Sequence, residues 1–216
     1  MEYRYKRELE KEYKVEASFY YRDIDEEKIL CRRVADVKKE GHDDAKIDAY
    51  FILMNPGSCK IYDASIVAKD ESGEIIMAES KPDATMVRIM NIMQELDFKH
   101  IRILNMSDVV SGNSAKAEAS IDKLIERGYD EHCIFSEKRR EELKELTKEE
   151  AVYVAAWGCS DKISYYSPYA MEYFKDKKLV GVYNGVGKYK HIKPPNKNLQ
   201  IALAEQIIEQ IKNIEK

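Results

Sequence analysis

Residues 49–57 read AYFILMNPG, an apolar run that stops at an Asn-Pro-Gly turn. Such a run, bounded by turn residues, is typical of a strand buried on both faces. Central strands of parallel sheets have this character because helices cover both sides of the sheet. The stretch therefore predicts a core strand of an α/β fold that delivers Asn55 to one edge of the sheet, although Asn-Pro-Gly is also an ordinary turn sequence.

Strand and helix patterns alternate from residue 49 onward. A helix is predicted to begin at its N-cap, Asp83, and to end near Asp97, because apolar residues recur on one face. The other elements are strands over 101–106, 151–158 and 179–184 and helices over 115–128, 136–150, 167–177 and 198–216. This alternation predicts a three-layer α/β sandwich, with a central, mainly parallel four-stranded sheet and helices on both faces.

The chain before residue 49 has a different pattern. Residues 16–23 and 28–37 are predicted to form two strands separated by an acidic turn. We predict a single α/β domain over 1–216, in which 1–45 form an N-terminal β extension and 49–216 form the core. Residues 60–82 are interpreted as an insertion or a flap beside Asn55.

Composition restricts the classes of partner. The 216 residues include 36 basic and 40 acidic side chains, for a net charge of −4. A polyanion would therefore have to bind at local basic patches. The charged N-terminus and the absence of a long apolar run predict a cytoplasmic protein with no membrane partner. Protein partners are left open.

Metal and cofactor sites are not predicted. The four cysteines are scattered without a Cys-x-x-Cys pair, so free thiols are expected rather than a metal cluster. The sequence contains no Gly-rich phosphate loop, no Gly-x-Ser-x-Gly and no His-Glu-x-x-His. These absences disfavour P-loop hydrolysis, dinucleotide binding and acyl transfer.

Ligands of open α/β sheets bind at the carboxyl ends of the parallel strands. Those positions hold directional hydrogen-bonding groups but no obvious nucleophile. They are Asn55, Pro56, Gly57, Asn105, Ser107, Asp108, Trp157, Gly158 and, in the loop after the last strand, His191. Each has a structural alternative: a turn or loop cap for the asparagines, the core for the tryptophan and the surface for the histidine. Their joint position at one sheet edge favours a binding site.

Four of these segments together resemble the uracil-DNA glycosylase superfamily. They are LMNPG (53–57), RILNMS (102–107), VAAWG (154–158) and HIKPP (191–195). The chain is more specifically similar to an uncharacterised bacterial and phage family with Asn-Pro-Ser/Gly, Asp-x-Thr-x-x-Arg, Trp-Gly and His-Pro motifs. Asp83, Thr85 and Arg88 supply the second motif. The resemblance spans roughly residues 49–198.

The resemblance implies a role for each matching residue. Asn55 would position the attacking water, and His191 would stabilise the departing base; both are the implied catalytic residues. Asn105 would read a pyrimidine edge, because an amide offers both a donor and an acceptor. The other implied substrate-binding residues are Pro56, Gly57, Tyr62, Ser107, Trp157 and Gly158, and the implied phosphate contacts are Lys188, Lys190 and Lys193. The reaction needs no metal and no cofactor.

The leading hypothesis is therefore a DNA-glycosylase-like hydrolase that acts on the N-glycosidic bond of a modified or damaged base. Nucleic acid, DNA in particular, is the expected partner. Two alternatives remain open at this point. One is an enzyme on free nucleosides or nucleotides, which the acidic balance favours. The other is a non-catalytic nucleobase or nucleic-acid binding module, which the amide at Asn55 favours because an amide cannot act as a base.

Overall fold

A computed structural model of the chain describes residues 3–25, 27–70, 74–161, 165–185 and 187–214. One mixed sheet contains eight strands within these ranges, in the order β4-β5-β1-β2-β6-β3-β7-β8. The strands are β1 (Tyr13–Ile24), β2 (Glu27–Lys39), β3 (Ala49–Leu53), β4 (Lys60–Ile61), β5 (Ala78–Lys81), β6 (His100–Asn105), β7 (Val152–Ala155) and β8 (Leu179–Val180).

The sheet corrects the prediction of four central strands. The neighbours β6, β3, β7 and β8 are parallel, as the alternating pattern indicates, but they form only half of the sheet. The antiparallel pair β1–β2 joins them through β2, which pairs with β6 from Ala35 opposite Ile103 to Lys38 opposite His100. The N-terminal strands are thus part of the central sheet and not an extension of it, because β2 satisfies the β6 edge that would otherwise be open.

The segment after β3 also joins the sheet. Strand β5 pairs with β1, and the short β4 pairs with β5 and forms the edge of the sheet, so both ends of the 60–82 segment are hydrogen-bonded strands. Residues 71–74 read ESGE, a sequence typical of a turn, and lie largely outside the described residues. A flap role for the middle of this segment stays a prediction.

The described ranges contain six α-helices. They are α1 (Lys6–Leu9), α2 (Ala84–Leu96), α3 (Ser114–Glu126), α4 (Arg140–Leu146), α5 (Ser167–Phe174) and α6 (Lys197–Ile214). Helix α2 follows its sequence pattern: Asp83 Oδ1 accepts hydrogen bonds from the backbone N–H groups of Thr85 (2.8 Å) and Met86 (2.9 Å), and Asp97 ends the helix in the left-handed conformation. None of the described helices has the length and apolar character that crossing a bilayer requires.

Several predicted elements are shorter than their patterns, and two of them have a clear local cause. The charged stretch 136–150 forms a 3-10 turn, Glu137–Arg139, followed by α4, which ends where the Thr147 hydroxyl bonds back to the Leu143 carbonyl (2.6 Å). Strand β8 stops before Gly181, whose φ is 150° and whose ideal Cβ position lies 2.5 Å from the Ala155 carbonyl oxygen. The close approach of these two backbones leaves no room for a side chain.

Strand β3 is buried on both faces, as its apolar run predicts. Alternate side chains point to opposite sides of a strand. Phe51 and its same-face neighbours pack in one core cluster with apolar residues of α2 and α6. Tyr50 and Ile52 pack in a second cluster with residues of α4 and α5. Helices therefore cover both faces of the sheet, and the carboxyl end of β3 emerges between the two cores.

Candidate functional site

The turn after β3 is tied to the loop after β6. Asn55 Nδ2 donates hydrogen bonds to the carbonyls of Val109 (3.1 Å) and Ser111 (2.9 Å). Both amide protons are therefore engaged in holding two strand ends together. The Asn55 side-chain oxygen has no hydrogen-bond partner within the part of the chain that the structure describes, so it is the one group of this side chain open to a ligand or a water.

Gly57 brings a carboxylate to the same strand end. Its φ is +63°, and an ideal Cβ at this position would lie 2.3 Å from Asp83 Oδ2. Only glycine fits this conformation and this approach without displacing the carboxylate. Asp83 uses Oδ1 to cap α2, whereas Oδ2 faces Gly57. The sequence identified Asp83 as an N-cap and a motif residue but gave it no chemical role. The signal that could have indicated one is Gly57, because a residue without a side chain allows the backbone to come close to a neighbouring group.

His191 feels the charge of Asp83, and its own hydrogen bonding fixes its tautomer. Its Nδ1 accepts a hydrogen bond from the backbone N–H of Lys193 (3.1 Å). Neutral imidazole carries one proton, so that proton must be on Nε2. Burial lowers the pKa of His191 below its ordinary value, and the negative charge of Asp83 opposes this effect. At neutral pH the side chain is therefore an uncharged Nε2–H donor.

The His191 loop also contacts the end of β7. The backbone N–H of Gly158 donates to the Tyr189 carbonyl (2.8 Å), and an ideal Cβ on Gly158 would lie 4.0 Å from the His191 Cβ. Trp157 is completely buried, and its indole N–H donates to the Gly187 carbonyl (2.9 Å). Trp157 thus anchors this loop from the core, while Gly158 lies against it.

Asn105 is completely buried, beneath the Asn55 turn. With its amide oriented to satisfy both ends, Nδ2 donates to the Asn55 carbonyl (3.2 Å), and Oδ1 accepts from Arg32 Nη2 (3.1 Å). The Arg32 guanidinium is also within 3.4 Å of the Pro56 carbonyl through Nη1. Arg32, from β2, therefore links two parallel strand ends. Sequence reasoning missed it because β2 was assigned to an extension.

Ser107 belongs to a buried chain of polar side chains. Its Oγ is 3.0 Å from His132 Nδ1, and His132 Nε2 is 2.8 Å from the Tyr166 hydroxyl. Burial lowers the pKa of His132 to about 3, and the cationic Arg22 and Arg139 contribute in the same direction. The three groups resemble a relay, but Ser107 and His132 are both inaccessible to solvent. Their role in this structure is to satisfy one another.

Asp108 forms the charged centre of the same region. Its carboxylate is fully buried and accepts hydrogen bonds from the Tyr20 hydroxyl (2.8 Å) and from Arg139 Nη1 (2.5 Å). Burial raises the pKa of Asp108 to about 6, while Arg139 opposes that rise. Arg139 also pairs with Glu142 on α4 (2.8 Å). The network fastens the loop after β6 to β1 and to α4.

The neutral His132 should make stability depend on pH. Its folded pKa is below the unfolded value of about 6.5, so its contribution is complete above pH 6.5 and is lost as pH falls toward 3. Between pH 7.5 and 5, we expect the wild-type free energy of unfolding to fall by about 2 kcal/mol from this group. Urea denaturation of wild type and His132→Gln across this range measures the difference in slope.

His42→Gln is the matched control for this experiment, because His42 is exposed. Asp108 acts in the opposite direction over part of the range, since its raised pKa adds stability at low pH, and His191 acts in the same direction as His132. Asp108 and His191 are both retained in the variants, so their contributions to the pH dependence cancel when the slopes are compared. Equal slopes for wild type and His132→Gln would contradict the prediction.

The remaining predicted residues are dispersed. Tyr62 is 63% exposed and follows β4 at the sheet edge. Lys188 pairs with Asp161 (2.6 Å), and Lys190 holds the last loop through its backbone N–H to the Val182 carbonyl (2.9 Å). Of the three lysines predicted to contact phosphates, only Lys193 lines a cleft together with Asp83.

Comparison with known proteins identifies no relative that would assign a role to these residues. The chain matches no family model, no curated protein and no solved structure. Across the described ranges there is also no group of three or more histidine, cysteine or acidic side chains arranged to hold a metal ion. The candidate site is therefore the strand-end region around Asp83, which Gly57 approaches, which lines a cleft with Lys193 and whose charge acts on His191; Asn55 lies two residues before Gly57.

Proposed function

We propose that the protein hydrolyses the N-glycosidic bond of a modified or damaged base in DNA. The observation that carries the proposal is the neutral His191, held with its proton on Nε2 and influenced by the charge of Asp83, a carboxylate whose Oδ2 faces Gly57 and is not used in the helix cap. A departing base develops negative charge that is shared by its exocyclic carbonyl oxygen. A fixed, uncharged donor can stabilise that charge in the transition state without first losing a proton.

Asp83 is assigned the part of the general base. A water oxygen attacks the anomeric carbon, and its proton passes to Asp83 Oδ2. The carbon–nitrogen bond breaks, and the base leaves with the bonding electron pair while its oxygen accepts a hydrogen bond from His191 Nε2. The products are an abasic sugar and the anionic base, which takes up a proton from solvent after release, while Asp83 returns its proton to solvent. A carboxylate can accept this proton, whereas the amide of Asn55 can only orient the water through its oxygen.

Base release from an oligonucleotide panel tests the proposal. The panel holds uracil, hypoxanthine, mismatched thymine and 5-substituted pyrimidines, in single and double strands. We expect Asp83→Asn to lower the single-turnover rate by about 10²–10⁴-fold, the usual contribution of a general base. Asparagine is as good an N-cap as aspartate, so α2 should be unaffected. Asn55→Ala should also reduce release, because the water loses its positioning group.

The outcomes are distinct. Release that is lost in Asp83→Asn while the melting temperature is kept supports the mechanism. Release that is unchanged in both Asp83→Asn and Asn55→Ala would exclude it. No release from any substrate would exclude hydrolysis and favour the second candidate.

The second candidate is a binding module that recognises a nucleobase or nucleic acid without turnover. A specific observation favours it: both protons of the Asn55 amide are engaged by loop carbonyls, and Asn105 is completely buried. Saturable binding of an oligonucleotide or nucleotide without any base release would distinguish this function from catalysis.

A further inference from the structure

A cleft of about 520 Å³ opens at the N-terminus of α2. Its walls come from distant parts of the sequence: the first residues of the chain, the β4–β5 edge and the loop before α6. The lining includes Tyr3, Tyr5, Lys60, Lys81 and Lys193. Asp83 also lines the cleft, so the candidate catalytic carboxylate lies on its wall.

Two of the lysines are placed against each other. Lys60 on β4 is directly opposite Lys81 on β5 in the antiparallel ladder. Like charges at such a pair destabilise a sheet. Neither lysine, nor Lys193, forms an ion pair with any residue that the structure describes. Some lysines elsewhere on the surface do, as in Lys144 with Glu141 and Lys148 with Glu145. The cleft thus concentrates positive charge in a chain whose net charge is negative.

A buried cation lies behind the same wall. Arg88 is 2% exposed, and its Nη2 donates to Gln200 Oε1 (2.6 Å). Its guanidinium carbon is 4.4 Å from the centre of the Tyr3 ring. Tyr3 and Gln200 both line the cleft. Nε and Nη1 of Arg88 have no hydrogen-bond partner in the described structure, so this cation has donors that the protein leaves unsatisfied.

The cleft also presents an aromatic surface. Tyr5 is 63% exposed, and its ring meets the Tyr3 ring edge to face, with centroids 5.6 Å apart. Lys197 lies 4.7 Å from the Tyr3 ring centre. An exposed aromatic face beside unpaired lysines is the combination that binds single-stranded nucleic acid, because bases stack on the ring while lysines neutralise phosphates.

We propose that this cleft binds a single-stranded segment of DNA, with one base stacked on Tyr5 and the flanking phosphates at Lys60 and Lys81. The choice of DNA rests on the function proposed above; the choice of an unpaired strand rests on the cleft itself. A duplex keeps its base faces stacked and cannot offer one to Tyr5. The strand would then lead past Asp83 toward His191.

Fluorescence anisotropy of a labelled deoxythymidine 12-mer with the full chain tests the inference. We expect Lys60→Gln/Lys81→Gln to weaken binding by at least tenfold at 50 mM salt. The slope of log affinity against log salt should become shallower by about 1.4, since each phosphate contact on a single strand contributes about 0.7. Tyr5→Ala should weaken binding by about tenfold, and Tyr5→Phe should restore it because the stacking surface is kept.

Lys144→Gln/Lys148→Gln is the matched control. It removes the same charge from α4 and the turn that follows it, and α4 packs on the opposite face of the sheet. Binding by this control should remain within twofold of wild type. An equal loss in control and cleft variants, or no loss in the cleft variants, would overturn the inference. So would a duplex that binds as tightly as the single strand, or thymidine monophosphate that competes as well as the 12-mer.

The binding and hydrolysis proposals fail separately. The 12-mer contains only normal thymine, and anisotropy reports binding whether or not a base is released. Binding that depends on Lys60, Lys81 and Tyr5 in a protein without base release would retain this inference and exclude hydrolysis. Base release that is unchanged when Lys60, Lys81 and Tyr5 are replaced, in a protein whose binding of the 12-mer is also unchanged, would retain hydrolysis and exclude this inference.

Discussion

Replacing His191 with alanine is expected to slow base release by about 10²–10³-fold, the cost of removing one preorganised donor to a developing oxyanion. The Lys193 N–H fixes the Nε2–H tautomer before substrate arrives, so the donor needs no reorganisation during the reaction. Single-turnover kinetics on the substrate identified by the panel measures the effect. The loss should fall on the chemical step and leave the affinity for the oligonucleotide nearly unchanged.

His191→Gln is the informative companion. Glutamine keeps a side-chain N–H donor, so part of the rate should return if donation is the function of His191. A purely structural role predicts no such recovery and a lower melting temperature in both variants. Wild-type rates for both variants would remove His191 from the mechanism.

Arg139→Met is expected to lower the free energy of unfolding by about 3–5 kcal/mol. The change leaves the Asp108 carboxylate fully buried without its cationic partner, and an uncompensated buried charge is strongly destabilising. Urea denaturation at pH 7 measures the loss. The effect should shrink at pH 5, because protonation removes the unpaired charge and burial has already raised the pKa of Asp108 to about 6.

Two further variants isolate this pair. Asp108→Asn combined with Arg139→Met should recover part of the stability, because neither charge remains, and the double-mutant cycle gives the coupling energy. Arg127→Met is the surface control: Arg127 forms an exposed pair with Asp25 (2.8 Å), which should be worth less than about 1 kcal/mol. Equal losses for Arg127→Met and Arg139→Met would contradict the assignment.

The sequence predicts those strands, helix caps and helix ends that depend on interactions between nearby residues. The apolar run of β3, the Asp83 cap of α2 and the glycine after α3 act through nearby residues, so pattern and propensity suffice to find them. The placement of the β1–β2 hairpin is different. Pairing of Ala35 with Ile103 joins residues far apart in the chain, and nothing in an alternating pattern specifies which strand it will meet. The sheet was therefore predicted with half its strands.

The candidate site shows the same division. The rule that ligands bind at strand ends finds Asn55 and the His191 loop from sequence alone. The approach of Asp83 to Gly57 and the bridge made by Arg32 depend on tertiary packing, so they become visible only in the structure. The lysines of the predicted basic loop have different environments for the same reason. Lys188 forms an ion pair with Asp161, whereas Lys193 lines the cleft.

The order of strands has a consequence for synthesis on the ribosome. Strand β2 ends at Lys39 and its partner β6 begins at His100, so about 60 residues must be made before the two can pair. At a synthesis rate of about 5–20 residues per second, one edge of β2 remains unpaired for roughly 3–12 s. Charged side chains along an open edge discourage pairing with another nascent chain. Strand β2 contains Arg32, Arg33 and Lys38. The strand that completes the site therefore also has charged side chains that disfavour pairing with another chain before β6 is synthesised.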